Sequence, residues 1–125
     1  MSSDQDAEGR AATTFCQQSI TVKSQEGSQR TLEAMVSGVW SYHHPYERSL
    51  RRILNITVVT HIPTGFVAGP IWRGQRFARS WIDWLNSRKC DWASVTGRGS
   101  LSSAIKHQIK AELQRRHRLR EVWGE

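Results

Sequence analysis

Cationic side chains crowd the second half of the chain and are the residues best suited to bind a ligand. Residues 48–125 hold fifteen Lys and Arg against five Asp and Glu, whereas residues 1–47 hold three against six. Clustered cations release counterions from a phosphate backbone, so this asymmetry predicts a face that binds nucleic acid. The same face would fit an acidic protein surface. Its expected members are Arg73, Arg76, Arg98, Lys106, Lys110, Arg115, Arg116, Arg118 and Arg120.

Six tryptophans in 125 residues are the second feature that favours nucleic acid. An exposed indole beside arginines can stack on an unpaired base, and it can equally anchor a protein interface. Trp92 lies in a loop and Trp123 lies just beyond the basic tail, so these two rings are the expected binding tryptophans. Trp81 and Trp84 fall on an apolar helical stripe and are expected in the core.

A glycine-containing turn, Thr96-Gly97-Arg98-Gly99-Ser100, precedes the last predicted helix. Glycines let the backbone approach an anion, and the N–H groups at a helix start point towards it. Ser100 is the predicted N-cap. The turn lacks the lysine and the spacing of a P-loop, so it does not imply nucleotide hydrolysis. A capped helix after a flexible loop is the alternative interpretation.

Three histidines are candidate metal ligands or general bases. His43 and His44 are adjacent, so in a strand they point to opposite faces, and either would need His61 and Glu47 to complete a metal site. A histidine general base for phosphodiester cleavage is a further possibility. The spacing requires neither, and surface histidines near a hairpin end are expected. The sequence therefore predicts no catalytic residue, no metal and no cofactor.

The composition indicates a protein of the cytoplasm. No apolar run approaches the roughly 18–20 residues that cross a bilayer. Residues 1–10 are polar and acidic, unlike the basic and then apolar start of a secretory signal. Cys16 and Cys90 lack the paired spacing of a zinc site and are expected to be free thiols in a reducing compartment.

The elements that position these residues begin with strands. Residues 1–18 are predicted to be a loosely held acidic tail in which Phe15 alone could dock. Ser19–Lys23 alternates as a strand does. The segment 30–42 fits both an alternating and a helical pattern, and its β-prone residues favour a strand. Ile53–Ile62 is the strongest predicted strand, with one face in the core and the other partly wet.

A turn at Pro63-Thr64-Gly65 should return the chain along Phe66–Trp72, completing a hairpin. Helical periodicity then predicts one helix over residues 74–88 and another over residues 101–118. The second helix has a buried stripe of Leu101, Ile105, Ile109 and Leu113.

Strands followed by helices predict an α+β domain over residues 19–125. Its expected architecture is an antiparallel meander of about four strands, followed by two C-terminal amphipathic helices packed on one face. The leading functional hypothesis is a small non-enzymatic nucleic-acid-binding protein. The alternative is a phage- or plasmid-type accessory protein that docks on and regulates a larger protein or nucleoprotein complex. A histidine-based nuclease is the third hypothesis.

Overall fold

The computed structural model describes residues 14–23, 28–44 and 56–122. Within these residues an antiparallel five-stranded sheet, with its strands in sequence order, is followed by two helices. The α+β prediction is confirmed, with five strands where about four were expected. The elements are β1 (Cys16–Lys23), β2 (Gln29–Ser37), β3 (Trp40–His43), β4 (Val58–His61), β5 (Phe66–Val67), α1 (Gln75–Asn86) and α2 (Ser103–Arg118).

The ambiguous segment 30–42 is a hairpin and not one continuous element. Gly38, with a φ of 62°, and Val39 form a two-residue turn that pairs Ser37 with Trp40. A positive φ is open to glycine without steric cost, and this residue was the signal for a turn. At the other end of the sheet, β1 begins at Cys16, three residues inside the expected tail.

The sheet curls until its first strand meets its last hairpin. The backbone N–H of Lys23, the final residue of β1, donates to the carbonyl of Gly65 at 2.8 Å. The apolar cluster of Ile20, Val22, Ala34 and Val36 is buried on one face of the sheet. The helices cover the opposite face of β3 and β4, where Trp40, Tyr42 and Val59 lie.

Both faces of β4 are consequently buried, and the expectation of a partly wet face is wrong. All four of its residues are buried. The curl covers one face and α1 covers the other, so alternation along the strand carries no exposure signal. Residues 53–55 of the predicted strand lie outside the described part of the chain.

Helix α1 supplies the centre of the core. Its buried residues are Ala78, Trp81, Ile82 and Leu85. The indole N–H of Trp81 donates to the carbonyl of Ala68 at 2.9 Å. A Cβ at Gly69, whose φ is 107°, would lie 2.9 Å from that indole nitrogen, so the close approach of chain and ring requires glycine there.

The N-cap of helix α2 lies two residues later in the chain than predicted. Ser102, and not Ser100, accepts the N–H of Ile105 through its hydroxyl at 3.2 Å. The predicted stripe does face the core: Ile105 is buried, and Leu101, Ile109 and Leu113 pack against the cluster. In the described residues neither helix is long and apolar enough to cross a membrane.

The residue that terminates α2 is an arginine in the left-handed backbone conformation that glycine usually adopts there. Arg120 has a φ of 63°, and the N–H of Glu121 donates to the carbonyl of Arg116 at 3.1 Å. This Schellman arrangement favours glycine. We expect Arg120→Gly to raise the free energy of unfolding by about 1 kcal/mol, since it removes the strain of a left-handed arginine.

Chemical denaturation checks this sign against Arg118→Gly, a substitution within the helix that should lower stability by up to about 1 kcal/mol. Equal effects at the two positions would contradict the assignment of strain to Arg120.

Candidate nucleic-acid interface

Seven of the nine expected cations are exposed, on α1 and α2 or next to the ends of these helices. The end of α2 lies beside the start of α1, because the N–H of Arg73 donates to the carbonyl of Glu121 at 3.1 Å and Trp72 bridges to Val122. One of the seven, Arg115, is paired with Glu112. We call the other six the cationic surface, which comprises Arg73, Arg76, Lys106, Lys110, Arg118 and Arg120.

Two carboxylates near the end of α2, Glu112 and Glu121, are largely buried, with side-chain exposures of 12% and 19%. Glu112 and Glu121 both contact the guanidinium of Arg116, at 2.7 Å and 3.2 Å. Hydrogen bonds from Arg115 and then Arg116 hold the pKa of Glu112 below its usual value, against the opposing effect of burial.

Four members of the cationic surface are left without a neutralising partner. Within the described residues, no ion pair involves Lys106, Lys110, Arg118 or Arg120. Glu112 and Glu121 therefore neutralise Arg115 and Arg116 and leave the charge of these four cations uncompensated.

Arg116 and Arg115 correct the predicted site. The side chain of Arg116 is only 5% exposed, and it donates to Ser80 on α1 at 2.9 Å. Arg115 remains half-exposed but forms an ion pair with Glu112 at 2.7 Å. Residue 116 lies two turns after Ile109 on the stripe side of the helix, so its side chain faces α1. The heptad spacing from Ile109 was the signal in the sequence.

Trp92 is a core residue and not an exposed ring. It is 8% exposed, and its indole N–H donates to the carbonyl of Leu85 at 2.8 Å. Its own ring packs at 5.2 Å from that of Trp40. Trp123 and the side chain of Arg98 lie outside the described residues. Among the described tryptophans only Trp84 is partly exposed, and it lies between Trp81 and the guanidinium of Arg88.

The turn at residues 96–100 uses its own polar groups. The hydroxyl of Ser100 donates to the carbonyl of Gly97 at 2.8 Å and accepts the N–H of Thr96 at 3.2 Å. Its last three residues, Arg98–Ser100, form a short 3-10 turn that ends before Ser102, the N-cap of α2. The glycines therefore precede the capped helix start without forming it.

His43 and His61 are buried, contrary to the expectation of surface histidines, whereas His44 is exposed as expected. A ring nitrogen of His61 lies 2.7 Å from the carbonyl oxygen of Trp92, and the other lies 2.9 Å from the hydroxyl of Thr64. His43 lies on the opposite face of the sheet, 2.7 Å from the hydroxyl of Thr60. Burial lowers the pKa of His43, which favours its neutral form.

These two histidines cannot converge on one ion, because they point to different sides of the sheet. Glu47, the expected third ligand, lies outside the described residues. Among those that are described, no three His, Cys, Asp or Glu side chains cluster as metal ligands.

A polar cleft that the sequence did not indicate lies beside the start of α1. Its cavity volume is about 420 Å³. β1 and β2 supply one wall, β3 and Thr57 supply the floor, and α1 supplies the other wall. Its polar lining residues are Gln17, Glu33, Tyr42, His43, His44, Thr57, Gln75 and Arg79.

An apolar groove of about 560 Å³ opens on the other side of the helix layer. The β4–β5 hairpin, α1 and the stripe of α2 line it, with Trp81, Trp92 and Ile109 among its residues. At its rim Phe66 and Val67 are 50% and 54% exposed. This is a large apolar exposure for so short a strand.

Comparisons with protein-family models, with curated proteins and with solved structures find no match to this chain.

Proposed function

We propose that this chain is a small non-enzymatic nucleic-acid-binding protein whose cationic surface contacts phosphates. The observation that supports this is the inward turn of Glu112 and Glu121 towards Arg116. Because those carboxylates pair with Arg115 and Arg116, the four cations of the cationic surface without an ion pair stay available to an external polyanion. Residues 56–122 carry twelve Lys and Arg against four Asp and Glu, which adds a long-range attraction.

The proposed binding depends on the charge of the nucleic acid and not on its base sequence. Lysine and arginine contacts to phosphates position a protein on nucleic acid without distinguishing its bases. Of the two tryptophans expected to stack on bases, Trp92 is buried and Trp123 lies outside the described residues. The free thiols of Cys16 and Cys90 are compatible with the cytoplasmic location that this role implies.

We expect the affinity for DNA or RNA to fall steeply with salt. Each phosphate neutralised contributes about −0.7 to −0.9 to the slope of log K against log salt. Changing Lys106, Lys110 and Arg118 together to glutamine should flatten that slope by about 2–3 units and weaken all sequences alike. Fluorescence anisotropy with labelled single-stranded and duplex oligonucleotides, over a salt series, measures both effects.

The control is Lys23→Gln, which removes an exposed cation from β1, away from the helices. It should leave the slope unchanged. Absence of wild-type binding at low ionic strength, where charge is least screened, would refute the proposal. If Lys23→Gln reduced the slope by as much per charge removed as the triple variant does, the total charge, and not the cationic surface, would determine binding.

The second candidate function is docking on a larger protein or nucleoprotein complex. The exposure of Phe66 and Val67 beside the apolar groove favours it, because a phosphate backbone has no use for such a surface. The cations would then meet an acidic protein surface. A pull-down after nuclease treatment separates the candidates: a protein partner that persists after this treatment and is lost on Phe66→Ser supports docking through the groove.

A further inference from the structure

The polar cleft is built around an uncapped helix start. Gly74 precedes α1 and offers no side-chain acceptor, and the first turn of the helix contains no acidic residue. The N–H groups of that turn have no carbonyl partner within the helix, which makes the start of α1 favourable for an anion. Gln75 and Arg79, one helical turn apart, both line the cleft.

Thr57 provides an independent sign that the cleft receives a ligand. It is 1% exposed, it lines the cleft, and its hydroxyl oxygen has no hydrogen-bond partner among the described residues. Two hydrogen bonds to Trp72, at 2.9 Å and 2.8 Å, hold its backbone in place. A buried hydroxyl without a partner costs stability, and an oxygen-bearing ligand in the cleft would satisfy it.

The opposite wall carries the reverse charge. Glu33 accepts hydrogen bonds from Ser19 at 2.7 Å and from Gln17 at 3.2 Å, and these bonds lower the pKa of its carboxyl. The cleft is thus bipolar, with a cationic wall at Arg79 and an anionic wall at Glu33. A ligand that fits both walls has an anionic group at one end and a hydrogen-bond donor at the other.

We propose that the cleft binds a nucleoside monophosphate group. The phosphate accepts hydrogen bonds from the first turn of α1, from Arg79 and from the hydroxyl of Thr57. The base directs its exocyclic amino group to Glu33, so adenine, guanine and cytosine fit and uracil does not. The cavity volume of about 420 Å³ falls within the range of small-molecule sites.

A free mononucleotide and the phosphorylated end of a strand both present this group with the same chemistry. This inference goes beyond the proposed function and does not depend on it, since the cleft residues do not belong to the cationic surface.

The test is calorimetric titration of the full chain with AMP, adenosine, UMP and inorganic phosphate. We expect AMP to bind at least tenfold more tightly than each of the other three, because only AMP engages both walls. Equal binding of AMP and adenosine would overturn the phosphate assignment. Equal binding of AMP and UMP would overturn the role of Glu33.

Thr57→Val provides a variant that does not depend on a loss of folding. It removes the hydroxyl and keeps the shape, so its melting temperature should be unchanged or higher, while its affinity for AMP falls about tenfold. Unchanged AMP affinity in this variant would overturn the proposal. The matched control is Lys110→Gln, which should bind AMP as the wild type does.

Paired oligonucleotides with and without a terminal phosphate identify the source. Tighter binding of the phosphorylated oligonucleotide by the wild type, but not by Thr57→Val, assigns the cleft to strand ends, whereas a preference for AMP alone assigns it to free nucleotides. Failure of the proposed function is distinguishable: AMP binding would persist in the triple variant of Lys106, Lys110 and Arg118.

Discussion

Trp81→Ala should lower the free energy of unfolding by about 3–5 kcal/mol, the usual cost of removing a large buried aromatic side chain. Trp81 is 1% exposed, and its ring packs at 5.4 Å from that of Trp72 and at 5.2 Å from that of Trp84. Alanine would leave a cavity between α1 and the sheet, and it would leave the carbonyl of Ala68 without its indole donor. Chemical denaturation measures the change.

Trp84→Ala is the matched control on the same helix. Trp84 is half-buried and contacts Trp81 and Arg88, so its loss should cost clearly less than the loss of Trp81. A fully stable Trp81→Ala that no longer binds oligonucleotides would contradict the placement of this ring and give it a binding role. If the m-value, the slope of the unfolding free energy against denaturant concentration, is unchanged in both variants, the difference between them is one of stability.

The periodicity of α1 was predictable because one face of that helix meets the sheet along its whole length. Trp81, Ile82 and Leu85 repeat at helical spacing and are all buried. The strand pattern was less informative, because a sheet covered on both faces loses the alternation on which strand prediction depends. The hairpin turn at Gly38 could have been recognised from the glycine. The curl that brings Lys23 to Gly65 could not, because it joins segments far apart in sequence.

Charge composition predicted a cationic surface but did not identify its members. Lys110 and Arg116 are both cations on one amphipathic helix, yet the first is exposed and the second is buried. The difference lies in helical phase and in the two carboxylates that can reach residue 116. The polar cleft escaped prediction for a related reason: Glu33, Thr57 and Arg79 carry no motif and meet only when the sheet and α1 pack together.

Arg116→Met should destabilise the fold by about 3–5 kcal/mol, comparable to the loss of Trp81, although the position reads as part of a solvated basic tail. The guanidinium forms ion pairs with Glu112 and Glu121, and its central carbon lies 5.9 Å and 5.8 Å from the centres of the Trp72 and Trp81 rings. Removing the guanidinium leaves Glu121 without an ion pair in the described residues and takes one of two arginine partners from Glu112, and this cost exceeds the net value of the pairs themselves.

Arg118→Met, two residues further along α2, is the matched control and should change stability by less than about 0.5 kcal/mol, because its side chain is exposed. A double variant, Arg116→Met with Glu121→Gln, should recover part of the loss, since it also removes the carboxylate left unpaired. Equilibrium denaturation of the wild type, of Arg116→Met, of Glu121→Gln and of the double variant gives the coupling energy. If Arg116→Met were as stable as Arg118→Met, Arg116 would belong to the cationic surface. The pairing of Glu112 and Glu121 with Arg116 would then no longer explain why that surface carries uncompensated positive charge.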